Sequence, residues 1–209
     1  ILKEFGVEFP TDEAERGAAI GASLQAIAEL LKDRRIEDLE FAPPMNNIDK
    51  QLAMQLLMSL MQHAFVVSQS LFALAMLEMV TISLKHGNTE LSAHAYVSYA
   101  LMLTMSGNYT DAQRFGKLAI RINELYPDAN LRASTQQVMG AFIDPWNNHL
   151  RSSLAYLNQA YLDSLEVGNL RYAVYSSWCY TLNRFSVGDE LHRILADVNK
   201  YLDFTPSQK

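Results

Sequence analysis

The sequence predicts an all-α protein, a right-handed α-solenoid of antiparallel helix hairpins with about four repeats behind an N-terminal helix. Three observations predict it. Apolar residues fall at helical spacing nearly everywhere, with no convincing alternation of period two. Helix starts recur at a fixed interval along the 209 residues. Gly-Asn pairs stand where one helix would end and the next begin.

The first helix is expected from Asp12 or Glu13 to Lys32, because Ile20, Leu24, Ile27 and Leu31 lie on one face. Pro43 and Pro44 stop the chain after it, since proline has no amide donor and clashes with the preceding turn. This linker divides residues 1–45, an N-terminal extension and helix, from residues 46–209, the repeat region, and the two are expected to form one continuous unit. Later helices are expected to start near Ile48, Gln69, Thr89, Tyr109, Ala129, Asn147, Leu170 and Asp189. Every second start (48, 89, 129, 170) then recurs after 41, 40 and 41 residues. Such a period marks stacked supersecondary units, each covering the apolar face of its neighbour.

The turns carry the same message. Gly87-Asn88, Gly107-Asn108 and Gly168-Asn169 place a glycine where a helix C-terminus needs a left-handed residue, and an asparagine where the next N-terminus needs a cap. Five residues after each glycine stands a small side chain, Ser92, Ala112 or Ala173, which lets two helices approach closely. Gly188-Asp189 is a fourth turn, but Arg193 occupies its small position, so the last hairpin is degenerate or a solvent-facing cap.

Composition bounds the function. Apolar residues make up 49% and charged residues 19%, enough to bury a core without a metal or disulfide staple. With 17 basic and 23 acidic residues the net charge is −6, which disfavours nucleic acid as a partner. The single cysteine, Cys179, sits in the run YSSWCY and reads as a buried thiol in a reducing compartment. No signal-peptide pattern follows Ile1, so a cytoplasmic setting and an excised segment of a longer protein are expected. Gln51 to Leu77 lacks any Asp, Glu, Lys or Arg. Gln55, Gln62, His63, Ser68, Gln69 and Ser70 interrupt it, so two buried helices are expected there rather than a membrane span.

Gly107, Tyr109, Ala112 and Ala119 stand at offsets of zero, two, five and twelve, which resembles the second half of a tetratricopeptide repeat (TPR). The period near forty and the early position of Phe115 depart from that pattern, so the resemblance is to a TPR-like hairpin. Five longer strings, RRIEDLEFAPPM, SLKHGNTELSAHAYVSYALML, FGKLAIRI, FIDPWNNHLRSSL and SLEVGNLRYAVY, resemble the helical-repeat region of very large signalling proteins. Those proteins, bacterial and fungal, join a serine/threonine-kinase-like domain and an AAA-type ATPase to a GAF domain and a sensor histidine kinase. The resemblance implies a scaffold or sensor segment between the ATPase and the GAF-kinase half. None of the family's ATP-binding, phosphoacceptor or kinase residues has a counterpart here.

Candidate binding residues come from aromatic placement. Tyr96, Tyr99, Tyr175 and Trp178, with Tyr172 and Tyr180, fall on the first helices of repeats two and four, which line the groove in TPR-like solenoids. Interdigitation in the core is the other use of the same residues. Asp144-Pro145-Trp146 reads as a helix entry, with Asp144 capping, and puts Trp146 one turn from His149 as a recognition edge or a packing pair. Met54, Met58, Met61, Met76 and Met79 read as core filling. The five histidines form no local zinc motif, and there is no Walker A, dinucleotide or nucleophile-elbow sequence.

The expected function is therefore a non-catalytic scaffold or sensor with no cofactor and no metal. Its partners would be protein segments or neighbouring domains, with neither nucleic acid nor membrane among them and with a homodimer left open. The alternative is a small-molecule-sensing or enzymatic helical domain whose pocket uses His94, His149 or the Tyr/Trp set. One prediction follows from the hairpin geometry. Ala112→Leu overpacks the close approach and should lower stability by about 1–3 kcal/mol, whereas Arg193→Leu should leave the melting temperature nearly unchanged. Equal melting temperatures for the two variants would remove the basis for a common hairpin geometry.

Overall fold

A computed structural model describes residues 2–204, which are all-helical. Nine α-helices lie among these residues: α1 (Glu13–Leu31), α2 (Ile48–Val67), α3 (Gln69–His86), α4 (Glu90–Met105), α5 (Tyr109–Leu125), α6 (Ala129–Val138), α7 (Ser153–Glu166), α8 (Leu170–Ser186) and α9 (Leu191–Phe204). Side-chain caps explain most of the starts. Asp12, Asn47, Ser68, Asn108, Asp128 and Asn169 each accept a backbone N–H from the first turn they precede. Thr89 and Ser92 form a reciprocal capping box at α4.

The charge-free stretch from Gln51 breaks at Ser68, whose extended backbone ends α2 and whose hydroxyl caps α3. None of the helices among the described residues is long and apolar enough to cross a membrane.

Chain neighbours from α2 onward pack together: three- or four-residue connections fold the chain back at α3–α4, α4–α5, α5–α6, α7–α8 and α8–α9, the single residue Ser68 does so at α2–α3, and the longer 139–152 segment returns α7 onto α6. The contacts run α2 on α3, α3 on α4, α4 on α5, α5 on α6, α6 on α7, α7 on α8 and α8 on α9. A second set links alternate helices, α4 with α6 and α6 with α8, while α1 lies on α3. The main core gathers Val7, Ile27, Ile36, Leu39 and Met45 from the N-terminal 45 residues together with α2–α5. Met54, Met61, Met76 and Met79 are buried in it, which is the core use expected of them.

Three turns share one geometry. At Gly107, Gly168 and Gly188 the glycine has positive φ, and the amide of the next residue reaches back five residues to a helix carbonyl. Gly87 is different: its φ is +97° and its ψ is −179°, and a Cβ there would lie 2.0 Å from the carbonyl oxygen of Pro43. The following Asn88 is not the cap of α4, contrary to the sequence expectation. Thr89 takes that duty, and Asn88 turns inward with no exposed surface.

The helix expected near Asn147 begins at Ser153 instead. Residues 139–143 form a wide turn and residues 144–146 and 150–152 two tight ones. Two features account for the delay. Gly140 sits so close to α7 that a Cβ would meet Leu157 and Tyr156 at 2.9 Å. The buried Asp144 carboxylate accepts from Gln113 at 3.2 Å, from Asn148 at 2.7 Å and from Ser152, fastening the turn to α5.

The small positions are closed: Ser92, Ala112 and Ala173 are buried, whereas the Arg193 side chain is exposed and pairs with Glu190. The contrast between glycine turns is testable. Gly87→Ala combines a disfavoured φ with a backbone collision and should cost well over the roughly 1–2 kcal/mol of positive φ alone. Gly107→Ala, with nothing within 4 Å of the added Cβ, should cost only that strain. Thermal unfolding of the two variants checks the order.

Candidate functional site

Asn88 is the most fully engaged polar residue near the candidate aromatics. Its N–H donates to Pro43 O at 3.0 Å and its C=O accepts from Met45 N at 2.9 Å. Its Nδ2 donates to Leu39 O at 2.8 Å, and its Oδ1 accepts from the Tyr96 hydroxyl at 3.0 Å. The turn between α3 and α4 is thereby clamped onto the segment before α2, and Arg34 adds a bond to Leu84 O at 2.9 Å.

This places Tyr96 and corrects the groove assignment for it. Tyr96 has no exposed surface, and burial pushes its hydroxyl well above the usual phenol range. Tyr99 is also buried, packed edge-on against Phe115 at 5.0 Å between ring centroids. Both interdigitate, because α4 is covered by α3, α5 and α6 and has no free face.

Trp146 and His149 are exposed but do not form a helical pair. Trp146 stacks flat on Tyr109, with centroids 5.0 Å apart and an interplanar angle of 2°. His149 accepts the Arg151 N–H through Nδ1 at 3.2 Å and so opens the 150–152 turn. Tyr175 and Trp178 are exposed on α8, Trp178 at 62%, and Val174, Leu182 and Phe185 are exposed with them. These three were not among the sequence candidates. The spacing 174, 178, 182 and 185 was the signal that could have found them, since it lays them on one helical face.

His94 lies between α4, α6 and α8. Its Nδ1 is 3.4 Å from Ser134 Oγ, and burial, with Arg171 of α8 as a second cause, lowers its pKa to about 4. Cys179 is half-buried, and burial pushes its thiol up, which makes it a poor nucleophile. Among the described residues no group of three His, Cys, Asp or Glu side chains is placed to hold a metal ion.

An open hollow of about 500 Å³ lies between the 36–41 turn, α5 and α7, lined by Glu37, Glu40, Arg114, Lys117, Arg121 and Tyr156 among others. Most of its charges are spent on each other. Arg114 grips Glu37 with two bonds of 2.7 and 2.9 Å and holds that carboxyl down at about 2, while Arg121 reaches Glu40 at 3.3 Å. Neither His94 nor His149 lines it.

No known protein family matches the chain, and no solved structure does. Over 156 residues it is 21% identical to the hybrid signal transduction histidine kinase G of Dictyostelium discoideum, a match covering 72% of this chain. The chain spans only 4% of that protein's length. The likeness is distant and points to a signalling-protein context.

The partly buried His94 gives a pH prediction. The unfolded imidazole takes up a proton near its ordinary 6.5, and the folded one does so only near about 4. The unfolded state therefore binds more protons in this window, and stability falls as pH drops through it. His94→Gln should flatten that part of the stability profile, measured by urea unfolding at a series of pH values, while leaving the profile above pH 7 parallel to wild type.

Proposed function

We propose that this chain is a non-catalytic, TPR-like scaffold or sensor module of a multidomain signal-transduction protein, with its hairpins arranged as a right-handed solenoid. The observation that carries the reading is the second set of packing contacts, α4 with α6 and α6 with α8, superposed on hairpins whose first helices start at Ile48, Glu90, Ala129 and Leu170, about forty residues apart. First helices that stack on first helices are the arrangement of a helical repeat array. The distant likeness to a hybrid histidine kinase, of which such a stretch is a small fraction, supports a place among other domains.

The module acts by protein contact. Its partners are protein segments or neighbouring domains of the same polypeptide, met through exposed apolar side chains such as Tyr175 and Trp178. A cytoplasmic setting fits its lone free thiol. Nucleotide chemistry, on this reading, belongs to other parts of the protein.

The test is ATP turnover by the purified 209-residue chain, together with cross-linking of the full-length protein. The expected result is hydrolysis no faster than buffer, and cross-links that join this segment to other domains. Turnover that survives repurification and disappears in a variant of the 36–41 hollow, such as Arg114→Ala, would overturn the scaffold reading.

A further inference from the structure

We infer that the outer face of α8 is the docking surface for one more helix of the same stack, the first helix of a further hairpin supplied by the same polypeptide. The inference rests on the repeat arrangement proposed above and names what covers its open end.

Equivalent positions along the stack carry the argument. The starts of α4, α6 and α8 align Ala95 with Ser134 and Tyr175, and Ser98 with Gln137 and Trp178. In the first two helices these positions are covered, since Ala95, Ser98, Ser134 and Gln137 are all buried. His94 meets Ser134 of α6, while Ser134 meets Tyr172 and Gln137 meets Cys179, both on α8. In α8 the same positions are bare, with Tyr175 49% and Trp178 62% exposed, and Val174, Leu182 and Phe185 extend the apolar strip along the helix. The α8 face is thus the continuation of an interface the molecule has already built twice.

The two ends of the array differ in the way this occupant requires. At the other end α1 lies on α3 and turns Glu13, Glu15, Gln25 and Glu29 to solvent, the polar outer face of a terminal unit. The α8 strip carries no such residues. The likeness to a protein of which this chain spans 4% leaves ample length for a further hairpin.

The experiment uses the Trp146→Phe background, so that Trp178 is the one indole. Residues 1–209 are compared with a chain prolonged by the next two helices encoded downstream. In the longer chain Trp178 emission should shift to the blue and its iodide quenching should fall several-fold. Trp178→Glu should lower the melting temperature of the longer chain more than that of the shorter. Equal quenching in both chains overturns the inference. So does a reading frame that stops at Lys209, and so does shielding that grows with the concentration of the 1–209 chain, which would give the face to a second copy. ATP turnover by the segment, which would end the scaffold reading, changes none of these readouts.

Discussion

Asn88 joins two parts of the chain that sequence keeps more than forty residues apart, and much of the N-terminal half depends on that joint. Its four backbone and side-chain hydrogen-bonding groups tie the α3–α4 turn to Leu39, Pro43 and Met45 on one side and to Tyr96 on the other. A buried amide left unsatisfied costs about 1–3 kcal/mol per group, so the joint is all or nothing. Gly87 makes it possible, because any side chain at that position would strike the Pro43 carbonyl. The linker that looks like a domain boundary in the sequence is in this way a packed strap, and Ile27, Ile36 and Leu39 lie in one core with α2–α5.

The same joint explains which features the sequence could disclose. The starts of α5 and α8 were legible from Asn108 and Asn169, because capping is a local exchange between a side chain and the amides just after it; Asp12, Asn47, Ser68, Thr89 and Asp128 cap other starts by the same exchange. The different duty of Asn88 was not legible, since its partners lie far away in sequence and its neighbours match those of Asn108. Residues 139–152 failed for a similar reason. Asp144 and Pro145 do form a helix-entry pattern, yet Gln113, on α5, draws the carboxylate inward and the close passage of Gly140 against α7 delays the helix to Ser153. The aromatic candidates split along the same line. Tyr96 and Trp178 look alike as sequence, and only the number of helices packed around each decides that one is core and the other surface.

The strings that resemble a signalling family turn out to be paired in space. RRIEDLEFAPPM meets SLKHGNTEL through Asn88 and the bond from Arg34, and it meets α5, which holds FGKLAIRI, through Arg114–Glu37 and Arg121–Glu40. FGKLAIRI in turn packs Gly116 against Met139 and Ile143, at the entry to FIDPWNNHLRSSL. The exposed ion pairs add at most about 1 kcal/mol each and serve chiefly to orient the 36–41 turn. The buried amide and the glycine contacts leave no room for substitution. Packing by itself therefore restricts residue types tightly along these strings.

Burial falls steeply from α4 to α8. Nine residues of α4 are buried, among them Tyr96 and Tyr99, but only Ala173 and Ser176 in α8. Each large apolar side chain of the α8 strip is about half exposed and so forgoes about half of the roughly 1.5–3 kcal/mol of full burial. The N-terminal half is accordingly stiff, because its helices are held by core packing and by a fully satisfied polar joint, while α8 and α9 are held from one side. A covering helix on α8 would extend the stiff part by one unit and carry its position back through Cys179, Gln137, Ser134 and His94 to α4. On the proposed scaffold reading, such a chain of contacts would convey where neighbouring parts sit. That task would be mechanical, and it would require only that each stacked face be complementary to the next.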